Sequence, residues 1–247
     1  MSRTEFDSHH AARGFALLEI AMVLVVVALL LAGVGRVSSA VTQARVKSLD
    51  ADAKAIAGAI DAYQSRYAAL PGDDPSAATR WAEAEAKGGN GDGLLSGSYD
   101  ATPPADPRTL RVDGERGESL AFWGHLRLAG LIDGSTTGAV ALSQPWHADG
   151  GILGVQSGAL GLAGIALCYA NVGARYAEAL DRQLDDGRPA TGVVRAGAAV
   201  ARATTLGSPA TEYQDDGERR YVVCVSMQDR VHVRDEIAQA QAAGARR

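Results

Sequence analysis

Aromatic residues are scarce in this chain: 3 Phe, 3 Trp and 7 Tyr among 247 residues, or 5%. A core built from it must rest on small and aliphatic side chains, and alanine and glycine are abundant. Cysteine is limited to 2 residues, so the chain holds one disulfide at most. Positive charge is also short. Against 29 Asp and Glu stand 24 Lys and Arg, a net charge of −5 with no basic patch, so nucleic acid is not an expected partner. Catalytic signatures are missing: there is no G-x-S-x-G elbow, no H-E-x-x-H, no Walker loop and no G-x-G-x-x-G. His125, His147 and His232 are scattered, and only His9 and His10 are adjacent. No enzymatic activity is expected, and no internal repeat is present.

What the chain does have is one long apolar run. From Phe15 to Gly35 there are 21 residues, and Glu19 is the only charged one. A run of that length can cross a bilayer as a helix. A single carboxylate inside such a run is costly unless paired, and so reads as functional. An ordinary secretory signal has a shorter apolar core followed by its cleavage site, a pattern this segment does not follow. Basic residues lie on both sides of the run (Arg3 and Arg13 before it; Arg36, Arg45 and Lys47 after it), so charge counting does not set its orientation.

Arg13, Gly14, Phe15 and Glu19, followed by the apolar run, resemble the processing signal of type IV prepilins and type II secretion pseudopilins, over residues 1 to about 70. Ala16 departs from the Thr common there. The resemblance implies that prepilin peptidase removes a leader, residues 1–14, by cutting after Gly14, and N-methylates the new N-terminal Phe15. It implies a single pass through the bacterial inner membrane by residues 15–36, with the N-terminus cytoplasmic and the globular domain periplasmic. The subunit would then be drawn into a filament by an inner-membrane assembly platform. In that filament Glu19 would pair with the Phe15 amine of a neighbouring pilin or pseudopilin subunit. An unpaired charge in the dry fibre core costs several kcal/mol, so the pair would fix axial register. The tip subunit of such systems lacks this acid, which argues for a place below the tip. A mature length of 247 less 14, or 233 residues, suits a minor subunit. The alternative is a membrane-anchored pilin-like module for binding or adhesion to a surface or secreted substrate. With the bulk of the chain outside the cytoplasm, Cys168 and Cys224 are expected to form a disulfide; two buried thiols are the other reading.

The helical pattern continues past the apolar run. Val46, Leu49, Ala53, Ile56, Ile60, Tyr63, Tyr67 and Leu70 recur at alternating spacings of 3 and 4, one apolar stripe on a helix that otherwise carries charge. Pro71 and Gly72 end it. Residues 37–69 are thus the amphipathic half of a helix from about 15 to 69, and residues 70–247 form the globular domain. The expected fold class is α+β, a pilin-like lollipop: a long N-terminal helix, its first half membrane-spanning, packed on a domain with an antiparallel β-sheet.

Residues 70–115 are rich in loops. A short helix over 76–87, with Ser76 as N-cap, is expected between Pro75 and the glycines from Gly88 to Gly93. The glycine-rich stretch half-matches an EF-hand. With Gly93 at the sixth loop position, Gly88 and Tyr99 fall where carboxylates are needed, so a standard EF-hand is rejected. A looser calcium site from Asp73, Asp74, Asn90 and Asp92 stays open beside a plain surface turn; no other cofactor is expected. Further on, helices are expected over 118–131 and 172–184, the latter with Asp181 and Arg182 on its exposed side. Strands are expected over 152–156, 162–169 and 221–226, the last paired with residues 231–233. Residues 235–243 read as a terminal helix.

Overall fold

The computed structural model describes residues 11–103, 117–198, 206 and 208–228, and within α1 it does not describe the side chains of residues 11–17 and 30–38. The strand expected over 231–233, the helix over 235–243 and most of the leader lie outside the described residues. The chain divides into two compact units, Met1–Ala44 and Arg45–Arg247.

Helix α1 spans Ala11–Tyr67 and contributes to both units. It stops because Ala68 takes a left-handed backbone, with φ of 52°, and its N–H still reaches Gln64 O at 2.8 Å. From Arg45 onward the apolar stripe is the buried face. Val46, Leu49, Ala53, Ile56, Ile60 and Tyr63 are all buried, and Tyr67 lies at the margin. Among the described residues no helix is long and apolar enough to cross a membrane. The span expected over 15–36 has described side chains only at residues 18–29.

Four strands form one antiparallel sheet in the order β1-β2-β4-β3: β1 Leu153–Ser157, β2 Ile165–Gly173, β3 Val194–Ala198 and β4 Arg220–Ser226. Both faces are buried, and the period of two in β2 and β4 sorts their residues. Leu167, Tyr169, Tyr221, Val223 and Val225 join the α1 stripe in the principal core. Ala166, Cys168, Val222 and Cys224 face the other way, into a smaller cluster with Tyr99, Leu160 and Leu162. Helix α3 (Gly117–Leu128) adds Phe122, Trp123 and Leu126 to the principal core, and α4 (Ala174–Leu184) adds Ala177 and Leu180. The Tyr169 hydroxyl donates to Leu49 O at 2.7 Å, tying sheet to helix within the second unit. The α+β class and the antiparallel sheet are therefore as the sequence implies.

Two local expectations are corrected. The helix over 76–87 reduces to α2, Ala77–Arg80, and a 3-10 turn, Ala82–Ala84. Ser76 does not cap it with its side chain; Asp74 Oδ1 instead accepts the Ser76 N–H at 2.8 Å. Asp181 is fully buried rather than exposed, because it continues the Ala174, Ala177, Leu180 face of α4 and the following loop folds over it.

Candidate functional site

The described residues 18–29 of α1 are exposed on every face, although all but Glu19 are apolar. Leu18, Ile20, Met22, Val23, Leu24, Val25, Val26, Val27 and Leu29 range in exposure from 44% at Val27 to 68% at Leu29. A helix that is apolar all round does not remain in water. At about 1.5–3 kcal/mol for each large side chain fully buried, covering this stretch is worth on the order of 10 kcal/mol. Glu19 lies on this surface, and its side chain makes no hydrogen bond or ion pair with any described residue. Gly14 and Phe15 are on the same helix backbone, five and four residues before Glu19. Elsewhere among the described residues, exposed large apolar side chains are few: Val41 in the first unit, and Leu94, Val140 and Trp146 in the second. The run in α1 is the candidate site.

The loop after α1 spends its carboxylates internally. Asp73, buried, accepts the Gly91 N–H at 2.6 Å on Oδ1 and the Gly93 N–H at 2.7 Å on Oδ2. Glu118, at the start of α3 and also buried, accepts Asn90 N–H at 3.1 Å and Ser96 N–H at 2.9 Å. The chain must pass so closely here that a Cβ on Gly89 would lie 2.3 Å from Asp73 Cα. Asp74 is engaged elsewhere. Its Oδ2 accepts from the Tyr63 hydroxyl at 2.7 Å and from Arg80 at 2.5 Å, and Arg80 lies 4.1 Å from the Tyr67 ring centroid. Although burial pushes the Asp74 carboxyl up, its hydrogen bonds from Arg80, Tyr63 and Ser76 leave it lowered on balance. Asn90 and Asp92 bond each other, Nδ2 to Oδ2 at 2.9 Å. A calcium loop turns oxygens inward; this one turns amide N–H groups onto carboxylates.

Carboxylates are brought together elsewhere. Among the described residues, ligand atoms of Asp181, Asp185 and Asp186 lie within 4.8 Å of one another. Each is already engaged. Asp181 accepts from the Tyr213 hydroxyl at 2.7 Å and Gly187 N–H at 3.0 Å. Asp185 accepts from Val193 and Val194 N–H, and Asp186 from the Thr191 hydroxyl and Arg188 N–H. Burial pushes the Asp181 carboxyl up, and the two neighbouring aspartates push the same way. At Gly192 a Cβ would lie 1.8 Å from Asp185 Oδ2, so only glycine closes this turn. The sequence places Asp181 on an exposed helix face and does not by itself foresee the cluster, whose signal is an Asp four residues before an Asp-Asp-Gly turn.

Cys168 and Cys224 form a disulfide, joining directly paired positions of β2 and β4. The described histidines are structural. His125 Nδ1 accepts the Gly72 N–H at 2.9 Å and its Nε2 donates to Lys87 O at 2.8 Å. His147 Nε2 donates to Ala170 O at 2.7 Å while Nδ1 accepts the Asp149 N–H at 3.2 Å. Neither holds a nucleophile.

No family model, no curated protein and no solved structure matches this chain.

Proposed function

We propose that this chain is a structural subunit, of the minor kind, in a filament of the type IV pilus or type II secretion pseudopilus class. The observation that supports this reading is the all-round apolar exposure of α1 over residues 18–29, with Glu19 as its single charge. Such a surface needs a cover, first lipid and then the equivalent helices of neighbouring subunits. In this reading prepilin peptidase cuts after Gly14 and methylates Phe15. The helix anchors the subunit in the inner membrane with its second unit in the periplasm, and the assembly platform passes it into the fibre. Glu19 then pairs with the Phe15 amine of the next subunit in a medium that would otherwise penalise both charges. The disulfide agrees with an oxidising compartment.

The test compares the native chain with Glu19→Ala in the host that makes it. Mass spectrometry of the native chain is expected to find N-methyl-Phe at position 15. Glu19→Ala is expected to keep its membrane insertion and its cleavage while losing incorporation into sheared filaments. A mature N-terminus elsewhere overturns the family reading. Undiminished incorporation overturns the role of Glu19.

A further inference from the structure

We propose that the pocket between the start of α4 and residues 215–220 is an oxyanion site, fitted to a phosphate or a dicarboxylate. It encloses about 190 Å³ and is lined by Gly173, Arg175, Tyr176, Asp215, Arg219 and Arg220 among others. Three guanidiniums line the pocket, and each has one aspartate beside it, Asp215, Asp216 or Asp149, so an anion would be held by guanidinium N–H donors rather than by a net positive charge. The volume equals that of several waters at about 30 Å³ each, so it admits one small polyanion with part of its hydration.

The guanidiniums keep donors in hand. Arg175 uses Nε toward Asp215 at 3.2 Å, Arg219 uses Nε toward Asp216 at 3.5 Å, and Arg220 uses one Nη toward Asp149 at 3.4 Å. These contacts are long, and Arg175, Arg219 and Arg220 are each more than 40% exposed, so each pair is weak. Each guanidinium has five N–H donors, and the terminal forks match an oxyanion two oxygens at a time. No further acceptor among the described residues bonds these three side chains.

The frame around them is held by backbone. Gly173 N–H donates to Asp149 Oδ2 at 2.9 Å and Ala174 N–H to Arg219 O at 3.3 Å, so the start of α4 and the arginine-bearing strand end are fixed to each other. The first turn of α4 carries no acidic residue, and its amide ends add charge of the same sign as the arginines. Asp215 is the internal competitor: its carboxylate at Arg175 Nε stands at the pocket and repels an incoming anion.

The site stands independently of the filament reading. Its test is titration of the full chain, in detergent micelles, with inorganic phosphate and with succinate at ionic strength held constant by sodium chloride. Calorimetry reads affinity, and thermal melting reads the accompanying rise in Tm. The expected result is saturable binding in the millimolar range. The tighter of the two probes tells whether a free phosphate or a carboxylate-bearing ligand is the natural occupant. Arg175→Gln combined with Arg219→Gln is expected to weaken binding about tenfold or more, the worth of one charge-assisted hydrogen bond. Arg182→Gln, on α4 but outside the pocket, is expected to change nothing. Asp215→Asn supplies the second arm: removing the competitor should tighten binding several-fold, which no loss of folding can imitate. Absence of saturation by both probes overturns the site, as does a double variant that binds as the native chain does.

Discussion

His125 is held in one protonation state by two backbone groups. Lys87 O can only accept, so Nε2 carries the proton and Nδ1 must stay bare for the Gly72 N–H. The ring also lies parallel to Tyr63, centroids 6.2 Å apart. Protonating Nδ1 would set two donors against each other in a buried site, and burial pushes the imidazole from its ordinary 6.5 down to about 4. The folded state thus binds this proton more weakly than the unfolded chain. The stability it confers is complete above pH 6.5 and is lost as pH falls toward 4, on the order of 3 kcal/mol in all. Urea denaturation across that window should show the decline. His125→Gln, which keeps one acceptor and one donor, should flatten it, leaving the smaller slope of His147, which burial shifts the same way. A native profile level from pH 7 to 4.5 would contradict the assignment. Asp74, whose carboxyl is lowered, acts separately at more acid pH. Arg127 shows the opposite solution to burial: a guanidinium donating to the backbone carbonyls of Ala141, Ser143 and Asp133, with no carboxylate paired to it among the described residues.

At the scale of elements, the disulfide joins the two central strands, and a separation of 56 residues gives about 4 kcal/mol in the loop-closure model. Reduction, or Cys168→Ala with Cys224→Ala, should lower unfolding free energy by about that amount, read from urea midpoints with and without reductant. The fold should survive, because the principal core lies on the other face of the sheet. A change below about 1 kcal/mol would mean that the unfolded chain is already constrained there. The pattern of what the sequence made legible follows the same logic. The α1 stripe and α4 announce themselves by apolar spacing, whereas α3, β1, β2 and β4 do so by their apolar content, α3 and β4 being buried nearly throughout. Strand β3 was missed: Val194-Arg195-Ala196-Gly197-Ala198 is small and weak in β-propensity, and its place comes from pairing with β4. The short helix after Pro75 fails because Asp74 and Arg80 bind each other across it and Glu85 turns left-handed, with φ of 53°. In the candidate site, Glu19 and its apolar run were legible from composition alone. The carboxylates of the 73–92 loop were not, because nothing in the spacing of Asp and Asn tells whether they accept from amides or from an ion.

For the whole molecule, the division at Ala44 and Arg45 separates two kinds of surface. The apolar exposure is concentrated before it, and both hydrophobic clusters that flank the sheet are drawn from residues after it. A chain beginning at Arg45 should therefore be monodisperse without detergent and keep the disulfide, whereas the full chain should associate or require micelles. Light scattering on both decides it; association of the shortened chain would move the cause to Leu94, Val140 or Trp146. The strand order carries a consequence for how the protein is made. Strand β4, the last in sequence among the described residues, lies between β2 and β3, and β3 has no other neighbour among the described strands. During synthesis only the β1–β2 hairpin can form until residues 220–226 emerge, so the sheet closes late, through contacts far apart in sequence. Until then the nascent chain carries an unpaired strand edge, and it depends on being kept from its neighbours while it waits.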